Sequence, residues 1–162
     1  MTSDDDAMGG PASDDDGTDV ALRLLEDEAA VYQAVMRFED LEAWQQARQL
    51  AASTYQMTRE TGLRRDAALS SQMQRAAVSV MSNIAEGRER GSSREFHRFL
   101  SIALGSCAEL RAQLYLARDV GYIDDTVFHE QAAHAMSVSK LVGALRASIA
   151  RRIATQATGK PR

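Results

Sequence analysis

The sequence predicts an all-α protein: an antiparallel up-down-up-down four-helix bundle with an extra short N-terminal helix and a disordered acidic N-terminal arm. Three observations point there. The 162 residues contain two prolines, Pro11 and Pro161, both outside the body of the chain, so nothing interrupts long helices. Aromatic residues make up 6%, which disfavours a β-sandwich. Apolar residues recur every three or four positions in four successive segments, and the short connections between them force neighbouring helices antiparallel. With 44% hydrophobic residues the chain has enough to bury for one domain, which rules out wholesale disorder.

Residues 1–17 hold two Asp-Asp-Asp runs together with Gly9, Gly10, Pro11 and Gly17, and offer almost nothing to bury. They read as the disordered arm. Thr18 or Asp19 can cap a short helix over residues 18–36, in which Leu24, Leu25, Val31, Tyr32 and Val35 keep helical spacing. Met36 stands where the packed body begins and offers a later start. Charge divides sharply along the chain: residues 1–35 carry ten acids and one base, Arg23, a net −9. The whole chain carries −4, which leaves +5 for residues 36–162.

The bundle is expected over residues 37–155, followed by a flexible tail at 156–162. Its first segment runs from about Asp40, a fair N-cap, to Thr61, with Leu41, Trp44, Ala47, Ala51 and Tyr55 along one face and Gly62 as the stop. The second runs from about Arg65 to Arg88 with Leu69, Met73, Ala76, Val80 and Ile84 as its stripe, and Gly87 ends it. The third begins at Ser92 or Ser93, with Glu95 in capping position. Phe96, Phe99, Ala103, Leu110, Leu114 and Ala117 form its stripe, flanked by Leu100 and Cys107, and Gly121 stops it. The fourth starts near Asp124 or Asp125 and carries Phe128, Ala132, Ala135, Val138, Val142, Leu145 and Ile149. Such small core side chains bury limited area, so some helix faces are expected to be completed by other subunits.

Chemistry is sparse. A carboxylate-bridged metal pair in a bundle needs Glu-x-x-His on two helices, yet Arg94, Thr126 and Gln131 stand three residues before His97, His129 and His134. His129 and His134 lie five apart and diverge on a helix. There is no Gly-x-Ser-x-Gly, Walker loop or Gly-x-Gly-x-x-Gly. Cys107, the one cysteine, lies beside an apolar stripe and reads as a buried inert thiol; it has no internal disulfide partner and fits a reducing cytoplasm. The expectation is a non-enzyme without metal or cofactor. Uncharged stretches such as Gln49 to Thr58 run ten residues against the ~20 a membrane span needs, and no secretion leader opens the chain, so the reading is cytoplasmic.

The functional hint is geometric. An up-down bundle brings the second turn to the end where the first helix starts and the fourth finishes. That end gathers Arg37, Arg88, Arg90, Arg94, Arg98, Arg151 and Arg152. A guanidinium's planar fork suits phosphate oxygens, and clustered arginines release counterions from nucleic acid. Glu86, Glu89 and Glu95 are interleaved, which leaves a solvated, salt-bridged end as the alternative. The acidic arm leaves from the same end, and the reading is that it folds over the arginines as an internal polyanion.

The words of the sequence carry a resemblance as well. Phe38-Glu39-Asp40-Leu41-Glu42-Ala43-Trp44-Gln45 and the block from Ser71 to Gly87 resemble the four-helix-bundle proteins encoded in bacterial 23S rRNA intervening sequences, a ribosomal-protein-like family. Ser93-Arg94-Glu95-Phe96, Phe99-Leu100, Ala103 to Ser106, Glu109-Leu110 and Gly121-Tyr122-Ile123 extend the match over about residues 37–150. The resemblance implies an antiparallel four-helix bundle that assembles into a ring, a homopentamer, with no enzymatic activity. The family is similar to the accessory proteins of diversity-generating retroelements, which implies RNA or DNA, or a nucleic-acid enzyme such as a reverse transcriptase, as partner. Asn83, Glu86 and Gly87 match the family's polar ending of the second helix, read here as closing and orienting the turn. Two features depart from the pattern: Met81 stands where the family usually has proline, and the acidic arm differs from strongly basic relatives. The competing reading is a structural or protein-interaction scaffold ring that binds no nucleic acid.

Overall fold

The computed structural model describes residues 37–158; the expected arm and the helix at 18–36 lie outside the described residues. Four helices follow a short 3-10 turn at Phe38–Asp40: α1 (Glu42–Glu60), α2 (Ala67–Glu89), α3 (Ser93–Asp119) and α4 (Asp125–Thr158). A second 3-10 turn, Gly62–Arg65, joins α1 to α2. α1 packs on α2, α2 on α3, α3 on α4 and α4 back on α1, which closes the four-helix bundle. The helices lengthen steadily, with 19, 23, 27 and 34 residues, or about 28, 34, 40 and 51 Å. The last helix therefore outruns its neighbours. It reaches Thr158, past the boundary expected at 155, so residues 156–158 of the expected tail are helical.

The core runs along the bundle axis. Leu50 from α1, Met73, Val80 and Ile84 from α2, Leu100, Leu110 and Leu114 from α3, and Val138 and Val142 from α4 are all sealed from solvent. Alanines at 47, 76, 77, 103, 117 and 135 fill the gaps between them. The stripe expected for α3 is buried throughout. On α1 the buried face is rotated from the expected one: Ala43, Ala47, Leu50, Ala51, Thr54, Met57 and Thr58 face inward, while Leu41, Trp44 and Tyr55 are half-buried at its edge. Two threonines occupy core positions because their hydroxyls bond back to their own helix. Thr54 Oγ1 donates to Leu50 O at 2.8 Å, and Thr58 Oγ1 donates to Tyr55 O at 2.9 Å while accepting from Gln74 Nε2 at 2.8 Å.

Several expected helix ends are built differently. Asp40 does not cap α1; it sits in the 3-10 turn, accepts from the Arg37 N–H at 3.2 Å, and leaves Leu41 as N-cap. Asp124 caps α4, accepting from Val127 N at 2.9 Å, and Asp66, which the periodicity does not single out, caps α2 by accepting from Leu69 N at 2.9 Å. Gly62 is no simple stop. Its N–H donates to Tyr122 O at 3.0 Å, tying the first connection to the third at one end of the bundle. Gly121 stops α3 as expected, with φ of 75°; it donates to Arg118 O at 2.9 Å and Tyr122 N to Ala117 O at 2.9 Å, a complete Schellman closure.

Candidate nucleic-acid interface

The other end of the bundle carries the arginines the sequence singles out, while Arg59, Arg64, Arg65 and Arg118 lie at the Gly62–Tyr122 end. α2 does not stop at Gly87, which lies buried inside the helix; the chain turns at Arg90 and at Gly91, whose φ is 68°. Gly87 serves a different purpose. A Cβ placed on it would come within 2.5 Å of Phe99 Cβ and 3.1 Å of the Phe96 ring, so only glycine lets α2 approach α3 this closely. Two guanidiniums lie against the Phe99 ring, with Arg90 at 5.2 Å and Arg98 at 5.1 Å from its centroid.

Those two arginines are also tied to carboxylates. Arg90 pairs with Glu86 one turn back, and that hydrogen bond, ahead of the Coulomb attraction, raises its pKa further above the ordinary guanidinium value. Arg98 lies 3.6 Å from Glu95, and the N-cap Ser92 makes no side-chain cap bond, so the capping arrangement expected of Ser92 and Glu95 is not formed. Arg37 is joined to Glu39 at 2.7 Å and feels Glu89 of α2, which brings the start of α1 to the same end. Arg88 is half-buried on the last turn of α2.

Arg94, Arg151 and Arg152 differ from these. None makes an ion pair among the described residues. Arg94 lines a cleft of about 330 Å³ with Ser92 and Ser93, facing Ile153, Gln156 and Ala157 of α4. Arg151 and Arg152 lie on that same overrunning stretch of α4, beyond its last fully buried residue, Val142. Arg146 belongs with this group although no local motif marks it: it donates to Ser101 Oγ at 3.3 Å, bracing α4 against α3. Only the antiparallel register of α3 and α4 could have revealed it.

Of the three family-motif positions, Glu86 holds Arg90 and Gly87 permits the close approach, so both bear on the turn. Asn83 does not reach it. Its Nδ2 donates to Ser79 O at 2.7 Å and Ser79 Oγ at 3.0 Å, and Ser79 meets Ser106 of α3 at 2.8 Å, a polar link between the helices below the turn.

Elsewhere, burial pushes the Cys107 thiol up to about 11, slightly opposed by Arg111. No group of three or more His, Cys, Asp or Glu is placed to hold a metal among the described residues, and no helix there is long and apolar enough to cross a membrane.

The fold defines a helical-bundle protein, one end of which gathers Arg88, Arg90, Arg94 and Arg98. The chain belongs to the 23S rRNA-intervening sequence protein family, whose family model matches residues 39–144. It is similar to a solved structure, a protein of unknown function from the S23 ribosomal protein family of Bacteroides thetaiotaomicron VPI-5482. The TM-score is 0.59 at 20% identity, covering 64% of this chain and 97% of that one, a likeness of fold. No curated protein matches the chain.

Proposed function

We propose that the protein is a non-enzymatic, cytoplasmic, homo-oligomeric helical bundle, with a pentameric ring as its assembly, that binds RNA or DNA through its arginine-bearing end and so serves as accessory to a nucleic-acid enzyme such as a reverse transcriptase. The observation that carries this reading is the convergence on one end of Arg88, Arg90, Arg94, Arg98, Arg151 and Arg152. Arg90 is hydrogen-bonded to Glu86 and lies against the Phe99 ring, so less side-chain freedom is lost when it meets an anion. Arg94, Arg151 and Arg152 keep their donors uncommitted among the described residues. The family's name, which refers to 23S rRNA intervening sequences, is a second support.

The test is a fluorescence-anisotropy titration of the full chain with short structured RNA and duplex DNA across salt, paired with light-scattering mass. Binding whose affinity falls steeply with salt, lost when Arg88, Arg90 and Arg94 are replaced together, is the expected result. An oligomer that ignores both nucleic acids at low salt would refute the reading.

A second reading, a scaffold that docks a protein partner without nucleic acid, is favoured by the outer face of α3. Ile102 and Leu116 of that helix and its C-cap Val120 fall on one line and are 41%, 50% and 51% exposed. Salt-resistant assembly or partner capture lost in Ile102→Ser and Leu116→Ser variants would favour it.

A further inference from the structure

The arginines of this end fall into two groups, and the division has a location. Arg37, Arg90 and Arg98 are bound to Glu39, Glu86 and Glu95. The uncommitted Arg94 opens instead onto the cleft between the start of α3 and the overrun of α4. Four polar residues line that cleft: Ser92, Ser93, Arg94 and Gln156. None of the four side chains makes a hydrogen bond or ion pair among the described residues, and none of the described residues lining the cleft is a carboxylate. Arg152 lies one turn before Gln156 on the same side of α4.

This inventory selects a ligand. It is rich in donors, carries net positive charge, and has an apolar wall of Ile153 and Ala157 that offers nothing to a cation. A tetrahedral oxyanion accepts from several convergent donors at once, and a guanidinium fork matches two of its oxygens. The volume, about 330 Å³, exceeds what a lone phosphate fills and leaves room for flanking sugar.

We infer that the cleft between Ser92–Arg94 and Ile153–Ala157 is a seat for phosphate oxygens, supplied by the backbone of a nucleic acid; the source rests on the nucleic-acid reading above. Arg94 and Gln156 grip the phosphate from opposite walls, and Arg152 adds charge from the flank. The overrun of α4 supplies one whole wall.

The experiment combines residue-specific protection with binding. The full chain is treated with the arginine reagent phenylglyoxal alone, with inorganic phosphate, and with a short oligonucleotide, and modification of Arg94 and of the distant Arg59 is read by peptide mass spectrometry. In parallel, oligonucleotide affinity is measured for Arg94→Gln and Gln156→Ala, with Arg59→Gln as control and circular dichroism confirming the fold. Both ligands are expected to protect Arg94 and not Arg59. Arg94→Gln is expected to weaken oligonucleotide binding about tenfold and to lower the salt slope by about 1. Oligonucleotide binding that leaves Arg94 reactive and is unchanged in both variants would overturn the cleft while sparing the nucleic-acid reading. Phosphate protection without any oligonucleotide binding would keep the seat and remove nucleic acid as its source. Protection by neither ligand would overturn the seat outright.

Discussion

Gly87 concentrates the packing logic of the arginine-bearing end in a single missing methyl. Adding it, as Gly87→Ala, is expected to cost about 1–3 kcal/mol in denaturant unfolding. Because the nearest atom is Phe99 Cβ, which every residue but glycine shares, trimming the ring with Phe99→Leu should leave most of that loss in place. Full rescue by the second substitution would place the conflict elsewhere. Gly87 shows what a sequence conceals at this scale: a glycine near the end of a periodic stretch reads as a stop, and only the neighbouring helix reveals it as a contact. Cys107 was more legible, since its place beside an apolar stripe already implied burial. With its thiol pushed up to about 11, it stays protonated at pH 8, so thiol-reagent labelling should follow unfolding and not precede it. The linkage has a definite sign. The unfolded thiol ionises near 9.0, so this residue's effect is absent below that pH, and stability falls as pH rises from there toward 11. Cys107→Ala should remove that part of the alkaline decline.

Among the elements, caps separate cleanly by what their side chains do. Asp66→Ala and Asp124→Ala each remove a bond to a first-turn N–H and should cost about 1 kcal/mol. Ser92→Ala removes none and should be close to neutral in the same thermal or denaturant scan. A Ser92 loss equal to the aspartate losses would contradict the cap geometry. The helices themselves could be read from spacing because three of the four stripes are continuous in apolar residues. α1 was legible in extent but not in rotation. Its largest apolar side chains, Trp44 and Tyr55, pulled the expected face toward themselves, while the true face includes Thr54 and Thr58, whose internal hydrogen bonds a hydrophobic pattern does not register. The arginines of the site were visible in the chain, and the pairing of Glu86 with Arg90 and of Glu95 with Arg98 follows from helical spacing. The cleft was not visible, because it depends on how far α4 runs past the start of α3.

For the molecule as a whole, charge is the quantity easiest to change. Removing residues 1–35 takes the net charge from −4 to +5. Nucleic-acid association at low salt should then be faster and tighter, with the gain fading as salt is added. Equal association rates for both forms at low salt would show that the acidic residues exert no effective field on the arginine-bearing end. At the opposite end, the hydrogen bond from Gly62 N–H to Tyr122 O closes a long chain loop, with a tight fit that brings Tyr122 Cα within 3.0 Å of a Cβ built on Gly62. Neither hairpin of the bundle can open there without disturbing the other. The exchange of the Gly62 amide with solvent deuterium therefore becomes a local clock for a global event: it should run at the rate of cooperative unfolding, well behind the amides in the terminal turns of α4.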